Sequence, residues 1–158
     1  MTFSRQLESG DAGITTTLWA MKAMVDDAIE QGTAVRALAA RIGSSLRAVF
    51  DYLVGHVRFL EDPRGIESVR HPDHMIREIL QAGSTAGDCD DMATLGAAIL
   101  RALGFQPCFI VVSARASGEF HHVFFGARVD GELITLDPQQ RIFNAMPATI
   151  TRTLVFDV

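Results

Sequence analysis

Gly87-Asp88-Cys89-Asp90-Asp91-Met92-Ala93-Thr94-Leu95-Gly96-Ala97-Ala98-Ile99-Leu100 is the stretch on which the reading of the fold turns. Asp88 is a residue type that caps helix N-termini. Counting from Cys89, the positions three, four, seven and eleven further on are Met92, Ala93, Gly96 and Leu100, the inward face of a helix. The helix is expected to run to about Leu103, with Gly104 closing it. The thiol begins the inward face. Ala93, Gly96, Ala97 and Ala98 would let this helix approach neighbouring strands closely. A thiol at a helix N-terminus sits beside unpaired backbone N–H groups and the positive end of the helix dipole, which favour the reactive thiolate.

Downstream, residues 105–112, 119–129 and 132–136 read as strands, the last two joined by a tight Asp130-Gly131 hairpin turn, and residues 149–156 read as a fourth. Upstream the chain is helical. Apolar residues from Leu18 to Ile29 recur at helical spacing in a segment ending at Gly32, residues 34–42 form a second helix ending at Gly43-Ser44-Ser45, and a serine there can cap a third over 46–54. Residues 56–60 alternate as a short extended piece before a turn at 61–65, Pro72-Asp73 starts a helix over 74–80, and Gly83-Ser84-Thr85-Ala86-Gly87 reads as a flexible connector. Helices first and an antiparallel meander second is the pattern of an α+β domain, a helical N-terminal part packed on an antiparallel sheet, without the repeated βαβ unit of a parallel sheet. At 158 residues and 48% hydrophobic content, one core accounts for the whole chain: a single domain over 1–158, helical over 1–82 and with the candidate catalytic core over 83–158.

The balance of 14 basic against 19 acidic residues, scattered along the chain, leaves no basic stripe to grip phosphates, so nucleic acid is not an expected partner. Lys22 is the only lysine, which makes the chain a poor amine donor for cross-linking itself. Two cysteines, Cys89 and Cys108, form no disulfide framework in a chain of this length and point to a reducing compartment. The segment Met1 to Glu8 lacks the charged start and apolar run of a signal peptide, and no apolar stretch is long enough to span a bilayer. A soluble, cytoplasmic protein with no membrane partner is expected.

The chemistry rests on the segments beyond the helix. In a strand, Phe120, His122 and Phe124 share one face while His121, Val123 and Phe125 share the other, so one histidine of the pair faces Cys89. Pairing across the Asp130-Gly131 turn brings Asp137 alongside His122. A thiol, an imidazole and a carboxylate in that order have the parts of a cysteine nucleophile, its general base and the group that holds the base's tautomer.

Gly87-Asp88-Cys89-Asp90-Asp91 with its small-residue helix, then His122-Val123-Phe124, then Leu136-Asp137-Pro138, resembles the transglutaminase-like superfamily of cysteine enzymes, with the match covering residues 72–138. The resemblance implies a core in which the cysteine opens a helix while the histidine and aspartate lie on neighbouring antiparallel strands, a circular relative of the papain-like arrangement. It implies Cys89 as nucleophile, His122 as base and Asp137 as orienter. Members usually carry an aromatic residue two positions after the histidine, and Phe124 standing there favours His122 over His121. Bacterial and phage members share the compactness and the acidic run of this chain. Acyl transfer through a thioester on a peptide or protein substrate is therefore expected, with hydrolysis favoured over cross-linking and no cofactor.

Three features bear on that expectation. Asp88, Asp90 and Asp91 raise the thiol pKa unless they point away or cap the helix, the role read for Asp88 and Asp91. The backbone N–H of Cys89 is the natural oxyanion donor, and Ser84, Thr85 or an earlier residue could supply the second. The bland readings are a buried structural thiol, the role read for Cys108, and a zinc site from Cys89, His121 or His122, and Asp137, which lacks the four ligands at short local spacing of a closed site. His56, His71 and His74 read as surface or capping residues, and Trp19 and the methionines as core. The alternative function keeps the fold and drops the chemistry: a non-catalytic assembly module with a protein partner, for example in a phage particle.

Overall fold

A computed structural model of the chain describes residues 2–6 and 11–158. In chain order its elements are β1 (Thr2–Gln6), α1 (Asp11–Glu30), α2 (Ala34–Ile42), α3 (Leu46–His56), β2 (Val57–Phe59), β3 (Ile66–Arg70), α4 (Pro72–Ala82), β4 (Thr85–Gly87), α5 (Cys89–Ala102), β5 (Gln106–Ser113), β6 (His122–Val129), β7 (Glu132–Asp137), β8 (Ile142–Phe143) and β9 (Arg152–Asp157). The main sheet has five strands in the order β8-β7-β6-β5-β9, and every neighbouring pair in it is antiparallel. The α+β class read from the sequence is the class observed.

The sheet and the helices meet on α5. Helices α1, α2 and α3 pack on α5 from one side, and β5 and β6 pack on it from the other. Residues Asp90 through Leu100 are all buried, so the helix is enclosed all round where the sequence had suggested one inward face. Small side chains make this possible. A Cβ on Gly96 would lie 2.3 Å from Cζ of Phe125, so the ring of β6 occupies the space that any larger residue would need.

The hairpin between β6 and β7 forms as its turn residues require. Asp130 and Gly131 both have positive φ, 52° and 82°, the conformation of a two-residue turn whose twist matches the strands. The register from Val129↔Glu132 to Phe125↔Leu136 continues to put Asp137 opposite Phe124. Asp137 therefore lies diagonally from His122 on the same face of the sheet.

The connector expected at residues 83–87 is a strand in its second half. β4 pairs in parallel with β2, Val57↔Thr85 through Phe59↔Gly87, and Gly87 O accepts from Leu60 N at 2.9 Å. Its Gly and Ser content masked a pairing that only the distant β2 strand supplies. β1 and β3 form a further antiparallel pair that periodicity had not indicated. No described helix is long and apolar enough to cross a membrane. The reading of the N-terminal segment falls in part on residues outside those described.

Candidate active site

Cys89 is the first residue of α5, placed there by a reciprocal cap. Asp88 Oδ1 accepts from the N–H groups of Asp90 at 3.0 Å and Asp91 at 3.2 Å, while Asp91 Oδ2 accepts from Asp88 N at 3.4 Å. The capping roles read for Asp88 and Asp91 are thus present in the structure. Asp91 does more, since its Oδ1 accepts from Arg70 N at 2.7 Å and so ties the end of β3 to the start of the helix. Gly87 is required beside this cap, because a Cβ there would lie 2.6 Å from Cβ of Asp91.

His122 opens β6 and Asp137 closes β7. His122 Nε2 and Asp137 Oδ2 are 2.7 Å apart, with side chains only 12% and 9% exposed, so water does little to loosen the pair. Phe124 stands against the imidazole with ring centroids 5.6 Å apart. Since Nε2 is committed to the carboxylate, Nδ1 is the ring nitrogen left for proton exchange. His121 is exposed, and its backbone N–H donates to Val112 O at 3.2 Å.

Cys89, His121, His122 and Val123 line one cleft of about 430 Å³. Phe59, Ile66, Ile14 and Phe120 give the cleft apolar walls, and the loop of residues 61–65 borders it. Among the described residues, Cys89 Sγ makes no hydrogen bond to either histidine. It donates instead to Asp90 Oδ1 at 3.7 Å, while the backbone N–H of Val123 lies near enough to lower the thiol's pKa in part. By strand alternation Val123 and Phe125 belong to the face that packs on α5, whereas His122 shares the opposite face with Phe124. The histidine paired with Asp137 thus reaches the cleft at the start of its strand.

The electrostatics run against a resting thiolate. Burial pushes the Cys89 thiol well above the ordinary thiol range, and the Asp90 and Asp88 carboxyl groups push the same way. Burial first, and then the Asp90 carboxyl group beside the sulfur, outweigh the helix N-terminus. Burial, with the Asp91 charge, raises Asp88 to about 7, and burial raises Asp91 to about 6 although Arg70 lowers it. Asp90, fully enclosed and in contact with Glu67, is raised most by burial and next by Asp88. Glu67 Oε2 in turn accepts from Thr17 Oγ1 at 2.7 Å, so the acidic group is braced by α1. Among the described residues, no three His, Cys, Asp or Glu side chains are disposed to hold a metal ion.

Neither Ser84 nor Thr85 serves as an oxyanion donor here. Thr85 is buried and donates its hydroxyl to Glu78 Oε2, and neither residue lines the cleft. Cys108 is fully buried in the small cluster with Ile110, Val112 and Phe124. Trp19 departs from the expected core role: it is 57% exposed, its ring edge against Phe156. His71 departs from the surface role, being buried with Nε2 2.9 Å from Asp27 Oδ2, although it also caps α4 by accepting from Asp73 N at 3.2 Å.

The sequence model of a family described as a transglutaminase-like domain matches residues 47–150. Among solved structures, a candidate cysteine protease from Cytophaga hutchinsonii superposes with a TM-score of 0.50 at 17% identity, over 99% of this chain and 62% of that one. LapG of Legionella pneumophila superposes with a TM-score of 0.45 at 17% identity, over 86% of this chain and 69% of that one. The chain thus spans less than two thirds of the length of the first of these structures. No curated protein matches the chain.

Proposed function

The chain belongs to the transglutaminase-like domain family, and from that premise we propose that it is a cysteine-dependent acyl-transfer enzyme acting on peptide or amide bonds, with Cys89 as nucleophile, His122 as base and Asp137 as orienter. We read residues 1–158 as one domain built around this site. The observation that carries the reading is the close His122–Asp137 pair, whose histidine lines the cleft that also holds Cys89. That pair leaves Nδ1 of His122 to take the thiol proton.

The parts set the chemistry. Cys89 Sγ attacks the amide carbonyl as its proton passes to Nδ1 of His122, and Asp137 stabilises the imidazolium. The developing oxyanion falls at the start of α5, where the Cys89 N–H has no partner within the helix. His122 returns the proton to the departing amine, leaving a thioester, and a water activated by the same imidazole hydrolyses it. We take water as the acceptor; the chain's only lysine, Lys22, is ion-paired to Asp26, so an amine acceptor would have to come from another molecule. The resting thiol, bonded to Asp90 and not to a histidine, means that substrate must bring Sγ and the imidazole together, and such contacts commonly tighten only on binding.

That resting contact is also what favours the second reading, a non-catalytic module that keeps the fold for assembly with another protein. Alkylation with iodoacetamide separates the two. An enzyme gives modification of Cys89 that is lost in Cys89→Ala and slowed in His122→Ala. A Cys89 no more reactive than a free cysteine peptide, and indifferent to His122→Ala, refutes the catalytic reading.

A further inference from the structure

Two atoms of the cleft have no role in the acyl-transfer chemistry. Among the described residues, the buried side-chain polar atoms without a hydrogen-bond partner are Asp62 Oδ2 and Gln139 Oε1, and both residues line the cleft that holds Cys89. Both atoms are acceptors. A buried acceptor left unpaired is costly and calls for a partner, strain or a functional role to explain it. An occupant of this cleft that brings hydrogen-bond donors would satisfy both.

Gln139 is the better placed of the two, because its backbone is locked to the candidate triad. Arg141 N donates to Pro138 O at 3.2 Å, closing a turn over residues 138–141, and Gln140 N donates to Asp137 Oδ1 at 3.2 Å. The other oxygen of that carboxylate holds His122 at 2.7 Å. One aspartate thus fixes the imidazole with one oxygen and the Gln139 turn with the other. Arg141, at φ 56°, completes the turn in the left-handed region. Any group held by Gln139 is consequently held in a set relation to the histidine.

The donor that recurs at fixed spacing from a scissile amide is a backbone N–H. We propose that Gln139 is a substrate-binding residue whose Oε1 accepts a backbone N–H of an extended peptide lying across Cys89. The cleft then takes a peptide chain and not an isolated acyl or small amide group. This rests on the reading of Cys89 as nucleophile, and it names the substrate class of that site. Asp62 Oδ2 is the second unpaired oxygen among the residues that line the cleft, and the same occupant could reach it.

The test uses active-site alkylation of the full chain by three probes: chloroacetone, acetyl-Ala-Ala chloromethyl ketone, and the same peptide ketone with each amide N-methylated in turn. The peptide ketone should modify Cys89 saturably. Gln139→Met, which keeps the side-chain volume without the acceptor, should lower that second-order rate about tenfold, the equivalent of one neutral hydrogen bond, while chloroacetone reacts unchanged. Gln139→Glu, which retains an acceptor oxygen, should keep most of the peptide rate. One of the two N-methylations should slow the parent about tenfold and have no further effect in Gln139→Met. Equal losses on chloroacetone and peptide would show that Gln139 merely supports the fold, and an unchanged peptide rate or additive losses would overturn the proposal. A Cys89 inert to chloroacetone would remove the nucleophile reading itself, and this inference with it.

Discussion

Asp88→Asn should stabilise the protein at neutral and mildly alkaline pH and flatten the pH dependence of its stability. Burial and the Asp91 charge raise Asp88 to about 7, against about 4 for an unperturbed aspartate. Between those two values the folded chain holds a proton that the unfolded chain has released, so stability falls as pH rises from about 4 to about 7. The full separation corresponds to ~4 kcal/mol. Burial of Asp88 is the larger part of that rise and the Asp91 charge the next, so replacing the Asp88 carboxylate relieves about 2 to 4 kcal/mol. Asparagine caps helices as well as aspartate does, and its Oδ1 can still accept from the Asp90 and Asp91 N–H groups. For a chain of this length the gain at pH 8 amounts to a Tm higher by about 5 to 12 °C. Thermal melts of the parent and variant at pH 5 and pH 8 give the comparison. The curves should separate as pH rises; parallel curves, or a variant destabilised equally at both pH values, would refute the claim that buried like charges crowd the start of α5.

Two further outcomes are expected from the same packing. Asp90→Asn removes the carboxyl group to which the Cys89 thiol donates, so the pH profile of Cys89 alkylation should move to lower pH, with no change if Asp90 does not govern the thiol. Gly96→Ala places a Cβ against the Phe125 ring and should cost ~1–3 kcal/mol through overpacking, read as a lower urea midpoint at unchanged slope.

How far these features could be seen in the sequence depends on how local their causes are. The capping box, the small-residue helix and the Asp130-Gly131 turn are set by neighbouring residues, and all three form as the residue types require. The hairpin register then puts Asp137 within reach of His122, which is why a pair fifteen residues apart could be read before the fold was known. Residues 56–60 read as extended, but the β2–β4 and β1–β3 pairings were missed because each joins short strands far apart in sequence, and β4 lies in a Gly- and Ser-containing segment that reads as a connector. Gln139 carried no signal, since a glutamine after a proline becomes notable only when its oxygen is found buried and unpaired in the cleft. The upward shift of the thiol was legible only conditionally, because it rests on how deeply Cys89 is buried and on Asp90 turning toward the sulfur, which packing and a rotamer decide and spacing does not.

The central claim is that Cys89 accepts an acyl group with the help of His122. Incubation with p-nitrophenyl acetate, followed by peptide mass analysis at early times, tests it most directly. An acetyl adduct is expected on the Cys89 peptide, absent in Cys89→Ala and formed about 10² to 10⁴ times more slowly in His122→Ala. No adduct on Cys89, or one that forms equally fast without the imidazole, would contradict it.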